Sequence, residues 1–275
     1  MCLPRHDPEI HGESGLGGTD LLPPVDADDD ILFYPAGAKA IAVMAETILS
    51  NPDPVCLVVI GPMTNVALLL SVYPEVVPRI RSLAFMGGTL KGGNRSPVAE
   101  FNILASPTPH TANAQMHVHD AECDPEAAQI VLTSGIKEIA MIPLDVTHMT
   151  LTTKQVLETL EQKIKPINPR FYQMLRELLC FFNQTYCEVF GFKEGSPLHD
   201  PNAVAYLIDP TIYDRKLMRV DVECASTLCY GQTICDIWEQ SPLPKNCWVT
   251  TSVDVDKFWE LMMDAWKQAA KASPL

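Results

Sequence analysis

The chain has 275 residues, of which 47% are apolar, and a formal net charge of −14. This apolar content suffices for the core of one large α/β domain. The charge argues against nucleic acid and against an anionic membrane surface as partners, and it favours a neutral or cationic small molecule. Nine scattered cysteines without a CxxC pair, and no apolar run near the ~20 residues of a membrane span, predict a cytoplasmic protein with reduced thiols.

The first predicted elements alternate between helix and strand. Apolar residues at helical spacing predict a helix that begins at about Pro35 and stops at NPDP. The run VCLVVI, from Val55 to Ile60, is typical of a strand buried on both faces. GPMTNVALLL then predicts another helix, and IRSLAFMGG predicts a second buried strand that ends at Met86.

A third helix and strand complete this pattern. In DPEAAQIVLTSG, Asp124 is placed to cap a helix and Gly135 to end it, and IKEIAMIPLDVT predicts a strand ending near Asp145. Strands that alternate with helices predict a parallel sheet with right-handed crossovers. Ligands on such sheets bind at the carboxyl ends of the strands, so we expect the chemistry near Ile60, Met86 and Asp145.

The remainder is predicted to be mostly helical. TKQVLETLEQKI and NPRFYQMLRELLCFFNQTYCEVFG have helical patterns, MRVDVECAS and NCWVTTSVDV are typical of strands, and DKFWELMMDAWKQAAKA predicts an amphipathic last helix. His199 and Asp200 precede Pro201, which places both side chains at a helix start. A carboxylate there caps the helix or, when buried, binds a metal.

Seven segments together carry a resemblance: IHGESGL, VIGPMTNVALLL, FMGGTLKGGN, SPVAEFN, DPEAAQIVL, PLDVTH and PLHDPNAVAYLIDP. In this order they resemble the inosine-uridine nucleoside hydrolase family, with a likeness to its fungal-type uridine nucleosidases. The resemblance implies a Rossmann-like α/β fold, with a mostly parallel sheet flanked by helices, in a single domain over residues 1–275. It also implies hydrolysis of the N-glycosidic bond of uridine, inosine or a related ribonucleoside to ribose and free base, and a homo-oligomer, either a dimer or a tetramer.

The same resemblance assigns roles to individual residues. It implies that His199 is the acid for the leaving base, and that Asp200 and the backbone carbonyl of Ile60 are ligands of Ca²⁺. It implies substrate contacts for eight residues: His11, Met86, Asn94, Glu100, Phe101, Asn102, Phe182 and Tyr186. Asn94, Glu100 and Asn102 would hold the ribose hydroxyls. As plainer alternatives, Glu100 and Asn102 are turn residues, His199 is structural, and Phe182 and Tyr186 belong to the core.

Two departures from the family pattern affect these expectations. The family's opening strand and its DxDPGxDDA loop, which supply calcium ligands and the carboxylate that activates water, have no counterpart in the chain; DADDD at Asp26–Asp30 is typical of a solvated loop. We therefore expect a sheet that lacks its first strand, and weak calcium binding. The second departure is a segment of 19 residues, Leu104 to Glu122, between EFNI and the Cys123 that precedes DPEAA.

A processing or gene-model artefact, such as retained non-coding sequence, would account for both departures, and we favour it over the alternative that residues 104–122 form a functional loop. Two functions remain open on this basis. One is an N-ribohydrolase whose activity is impaired by loss of the metal-binding loop. The other is an inactive homologue that binds nucleosides weakly or serves as an oligomer partner.

Overall fold

The structure is a computed structural model that describes residues 16–17, 19–21, 39–103 and 124–275. These residues form two compact units. The first contains residues 39–103, 124–147 and 199–253, and the second contains residues 16–17, 19–21, 148–198 and 254–275. None of the described helices combines the length and apolar character that crossing a membrane needs. The assignment of residues 1–275 to a single domain stays a prediction.

The described elements, in chain order, are α1 (Ala40–Ser50), β1 (Val55–Val59), α2 (Thr64–Val72), β2 (Ile80–Met86), α3 (Pro125–Leu132), β3 (Ile139–Ile142), α4 (Leu144–Thr147), α5 (Lys154–Ile164), α6 (Pro169–Phe190), α7 (Pro201–Ile208), β4 (Tyr213–Met218), β5 (Val220–Val222), β6 (Thr233–Cys235), β7 (Cys247–Val253) and α8 (Val255–Ala272). Short 3₁₀ helices occupy Pro74–Arg79 and Pro210–Ile212.

The first unit is built on a five-stranded sheet with the order β1-β2-β3-β7-β4. Neighbouring strands from β1 to β7 are parallel, and β4 joins β7 antiparallel. Strands β5 and β6 form a separate antiparallel pair. The chain is therefore an α/β protein with a mostly parallel sheet flanked by helices, which confirms the fold class predicted from the alternating pattern.

The core of this unit follows from the apolar runs in the sequence. From Ser82 to Met86 every residue of β2 is buried, and Leu83 and Phe85 lie opposite Ile139 and Met141 of β3. Helices α1, α2 and α3 contribute buried residues to the same hydrophobic cluster. Burying a large apolar side chain stabilises a fold by roughly 1.5–3 kcal/mol, so this cluster holds the carboxyl ends of the strands in place.

The start of α3 was predicted correctly, and the end of the third strand was not. Asp124 caps α3, because its Oδ1 accepts a hydrogen bond of 2.9 Å from the Ala127 amide. Strand β3 ends at Ile142 rather than near Asp145. The Pro143 carbonyl accepts hydrogen bonds from the amides of Val146 and Thr147, which turns the chain into the short helix α4.

Helix α7 packs against β1, β2 and β3. The Tyr213 hydroxyl lies within hydrogen-bond distance of the backbone and side-chain oxygens of the fully buried Asn202, at 3.1 and 3.0 Å, which ties α7 to β4. Asp200 precedes α7 but makes no side-chain capping bond. Its carboxylate is therefore not the helix cap that its position in the sequence suggested.

The second unit is helical. Helices α5, α6 and α8 share a cluster of buried side chains that includes Leu160, Phe171 and Met263. Helix α6 has a defined start and end, since the Asn168 side chain accepts from the Phe171 amide at 3.0 Å and Gly191 ends the helix with a φ of 76°.

Asn183 of α6 holds two loop segments of this unit together. Its Oδ1 accepts hydrogen bonds from the amide and hydroxyl of Ser196 at 2.7 and 2.6 Å, and its Nδ2 donates to the Thr152 carbonyl at 2.9 Å. Leu151 and Pro197 also form a β-bridge. The chain segment just before His199 is therefore anchored to α6.

Candidate active site

The turn after β2 depends on a glycine. Gly88 has a φ of +74°, and a Cβ on it would lie 2.8 Å from Cγ2 of Thr233 and 2.9 Å from Sδ of Met141. Glycine alone adopts this conformation readily and fits the space. The Gly88 amide then points at Glu100 and donates to its Oε2 at 3.0 Å.

Glu100 is a buried carboxyl group, with only 2% of its surface exposed. Its Oε2 accepts a second hydrogen bond, of 2.9 Å, from the Asn102 amide. Burial raises the pKa of Glu100 to about 7, although the amides of Asn102 and Gly88 act in the opposite direction, and the negative charge of Asp200 raises it further. Glu100 and Asp200 therefore lie close enough for their charges to interact.

Asn102 is attached to the end of β2. Its Nδ2 donates to the Met86 carbonyl at 3.0 Å and lies 3.3 Å from the Met86 sulfur. The structure thus brings three of the predicted site residues, Met86, Glu100 and Asn102, into one cluster at the carboxyl end of β2.

Asn94 and Phe101 lie in the loop that leads to this cluster. Oδ1 of Asn94 accepts a hydrogen bond of 3.0 Å from the Phe101 amide. The guanidinium of Arg95 stands over the Phe101 ring, 5.2 Å from its centroid. Asn94 therefore contributes to the shape of the loop through its side-chain oxygen.

Asp145 supports the turn from the neighbouring strand end. Its Oδ2 accepts hydrogen bonds from the Leu90 amide at 2.7 Å and from the Thr89 hydroxyl at 3.2 Å. Thr89 is also tied to Thr233. The Thr233 hydroxyl accepts a hydrogen bond from the Thr89 amide and donates one to the Thr89 carbonyl. The sequence placed Asp145 at the site without a role, and the structure gives it a supporting one.

His199 and Asp200 stand at the start of α7. Nδ1 of His199 lies 2.7 Å from the hydroxyl oxygen of Thr147 on α4. Asp200 is half-buried, and burial raises its pKa to about 6. A carboxylate that is partly removed from water and makes no capping bond is suited to binding a cation, because a cation would restore the lost solvation.

The remaining predicted site residues are not joined to this cluster by a described contact. Ile60 follows β1 and is 51% exposed. Phe182 and Tyr186 lie on α6, where Phe182 packs edge-on against Phe181 and Tyr186 contacts the rings of Phe190 and Phe192. His11, like all of residues 104–122, lies outside the described residues.

Comparison with known proteins identifies the family. The family model described as inosine-uridine preferring nucleoside hydrolase matches residues 2–114 and 120–260. The chain belongs to this family. Nucleoside hydrolases cleave ribonucleosides, so the chain is by family a nucleoside N-ribohydrolase.

Individual nucleoside hydrolases agree with this assignment. The chain is 40% identical to a Dictyostelium discoideum protein named "Probable ribonucleoside hydrolase", over 96% of the chain and 73% of that protein. It is 32% identical to a pyrimidine-specific ribonucleoside hydrolase of Shigella sonnei, over 92% of the chain and 71% of that protein. A solved purine-preferring ribonucleoside hydrolase from Gardnerella vaginalis superposes with a TM-score of 0.77 at 28% identity, over 97% of the chain and 75% of the neighbour. The names of the last two proteins give different base preferences.

Two predicted metal ligands lie among the described residues of this nucleoside hydrolase. The half-buried Asp200 carboxylate and the Ile60 carbonyl are oxygen donors, which calcium prefers, although it takes about six to eight of them. Within residues 39–103 and 124–275 no group of three or more His, Cys, Asp or Glu side chains surrounds a metal position. The two predicted ligands offer suitable oxygen atoms, but they are fewer than the number that calcium takes.

Sequence patterns missed the residues that support the site. Gly88, Asp145 and Thr147 lie in the segments FMGGTLKGGN and PLDVTH, which carried the resemblance, yet no role was assigned to them. Their partners are Glu100, the Thr89–Leu90 turn and His199. Of these features, only the positive φ of Gly88 could have been predicted from the sequence, because a glycine at the end of a strand indicates such a turn.

Proposed function

We propose that the cluster around Glu100 and Asn102 binds the ribose of a nucleoside such as uridine or inosine, and that the protein hydrolyses its N-glycosidic bond to ribose and free base. The observation that supports this most is the convergence of a buried carboxyl group, an amide and a second carboxylate, Asp200, at the carboxyl end of β2. Ligands of parallel sheets bind at this edge.

The chemistry of glycoside cleavage suits these groups. As the bond breaks, positive charge develops on the ribose, and the sugar must be held rigidly while water reaches the anomeric carbon. The Glu100 carboxylate accepts hydrogen bonds from ribose hydroxyls, and the side chains of Asn94 and Asn102 add amide groups for the same purpose. Met86 packs under the sugar, next to the developing positive charge. The fixed backbone donors of Gly88 and Asn102 hold Glu100 in place.

Departure of the base requires a proton, and we assign its donation to His199. A neutral purine or pyrimidine leaves poorly as an anion, so a positioned acid lowers the barrier. On the proposed assignment His11, Phe101, Phe182 and Tyr186 provide further contacts to the nucleoside.

Calcium is the cofactor we propose, with the Asp200 carboxylate and the Ile60 carbonyl as two of its ligands. These two residues would hold the ion, which would supply positive charge for binding the ribose hydroxyls and would lower the pKa of a water molecule. We further propose a cytoplasmic homo-oligomer, either a dimer or a tetramer.

The decisive experiment measures release of free base from uridine and inosine, with calcium and with EDTA. We expect negligible turnover by the 275-residue chain, since the ligands recognised in it are too few for tight calcium binding. A repaired variant, without residues 104–122 and preceded by the amino-terminal segment of the Dictyostelium relative, is expected to hydrolyse both substrates. In that variant His199→Ala should slow inosine more than p-nitrophenyl riboside, whose leaving group needs no proton.

Matched substitutions connect the activity to the site. In the repaired variant Glu100→Gln should reduce turnover by at least about a hundredfold, whereas Glu75→Gln, at an exposed position, should not change it. Robust turnover by the unrepaired 275 residues would contradict the expected impairment. No turnover after repair, together with nucleoside binding, would favour the alternative of a weak nucleoside binder. Equal losses of turnover on inosine and p-nitrophenyl riboside in His199→Ala would contradict the role assigned to His199.

A further inference from the structure

We propose that Thr147 is a positioning residue that selects the tautomer of His199 with its hydrogen on Nδ1. The inference rests on the proposed function, because His199 is the group that we assign to the leaving base. It adds a residue, Thr147, that acts through the imidazole rather than on the substrate.

The direction of the hydrogen bond between the two side chains follows from the surroundings of Thr147. Its hydroxyl oxygen lies 2.7 Å from Nδ1 of His199 and 3.3 Å from the Leu144 carbonyl oxygen. A hydroxyl has one hydrogen but can accept two hydrogen bonds, and a carbonyl oxygen can only accept. The arrangement that satisfies both contacts directs the Thr147 hydrogen to Leu144 and leaves the Thr147 oxygen to accept the hydrogen of Nδ1.

This arrangement determines which nitrogen of the ring is used in catalysis. A neutral imidazole carries one N–H, so a hydrogen on Nδ1 leaves the lone pair on Nε2. Because Nδ1 is directed at Thr147, Nε2 points away from it and is the atom that takes up and delivers the proton. The hydroxyl orients the ring without placing a further charge beside it.

Thr147 is held rigidly enough for this role. It is fully buried, and its amide donates to the Pro143 carbonyl at 3.1 Å. At the other end of α4, the Leu144 amide donates to the Gly88 carbonyl at 3.0 Å. The amide of the same Gly88 donates to Glu100, so the support of His199 and the support of Glu100 meet at one glycine.

The test is the tautomer of His199 in the 275-residue chain, read from long-range ¹H–¹⁵N correlation spectra at a pH where imidazoles are neutral. The His199 signals are assigned by their loss in His199→Gln. We expect Nδ1–H in the wild-type chain, although free imidazole side chains favour Nε2–H. Thr147→Ser should keep Nδ1–H, and Thr147→Val, similar in shape but without the hydroxyl, should shift the ring to Nε2–H.

The outcomes separate this inference from the proposed function. An Nε2–H signal in the wild-type chain would by itself overturn the inference about Thr147. An unchanged tautomer in Thr147→Val would also overturn it. In the repaired enzyme, Thr147→Val should lower kcat for inosine about tenfold or more with a smaller change in KM, and Thr147→Ser should restore it. If the repaired enzyme has no turnover but His199 keeps the Nδ1–H tautomer, the result would count against the proposed function and not against this inference.

Discussion

The buried carboxyl group of Glu100 predicts a pH-dependent loss of stability. Burial raises its pKa from an ordinary value near 4.5 to about 7. Between these values the folded state keeps the proton that the unfolded state has released, so the free energy of unfolding falls as pH rises. The decrease begins near pH 4.5, is complete above pH 7 and amounts to about 3 kcal/mol, at roughly 1.4 kcal/mol for each unit of pKa.

Comparison with Glu100→Gln isolates this contribution. The glutamine oxygen can accept from the Gly88 and Asn102 amides as Oε2 does, but it does not titrate. We expect the variant and the wild-type chain to have similar stabilities near pH 4.5. Near pH 8 the variant should be more stable by about 3 kcal/mol. Asp200, whose pKa is raised to about 6, titrates in both proteins, so most of its effect cancels.

The assay is urea denaturation at several values between pH 4.5 and pH 8, in EDTA and without nucleoside, followed by the fluorescence of the four tryptophans. Glu75→Gln serves as the control, because it makes the same change of side chain at an exposed position. If the stabilities of the wild-type chain and Glu100→Gln differ by the same amount at every pH, the pKa of Glu100 is the same in the folded and unfolded states, and the reasoning from burial fails.

Two further predictions concern stability. Deleting Leu104–Glu122 should raise the melting temperature by several degrees, because closing a long loop costs roughly 1–2 kcal/mol more than closing a short one; an unchanged or lower melting temperature would count against an inserted segment. Asn246→Ala should destabilise the chain by roughly 2–4 kcal/mol in urea denaturation, because it removes side-chain hydrogen bonds to Val220 and Leu132 of 2.8, 2.9 and 3.0 Å. Asn51→Ala, at an exposed turn, is its control, and equal effects of the two substitutions would contradict the estimate.

Local signals in the sequence were sufficient for the parallel part of the sheet. The second strand was predicted to end at Met86 and does so, because a continuous apolar run followed by two glycines is unambiguous. Strand β4 was missed, since its Asp214, Arg215 and Lys216 are exposed and mask the apolar pattern of an edge strand. Its pairing with β7 is a long-range feature that periodicity does not contain.

The candidate site was predictable to the extent that its groups come from short segments. Glu100 and Asn102 are two residues apart, and the structure joins both to the end of β2. The contact between Thr147 and His199 spans 52 positions, so no local pattern indicates it. The predicted end of β3 was wrong, because a helical turn begins at Pro143 within a run of residues that is otherwise typical of a strand. The Pro143 carbonyl accepts hydrogen bonds from two amides of this turn.

The two hydrogen bonds of Gly88 have a consequence for how substitutions combine. Because its amide holds Glu100 and its carbonyl holds the first residue of α4, a displacement of this glycine moves the Glu100 carboxyl and the support of the His199 imidazole together. Energetic effects at sites with a shared partner are generally not additive. A double-mutant cycle between Glu100 and Thr147 should therefore give a coupling energy different from zero, even though the structure describes no direct hydrogen bond between these two side chains.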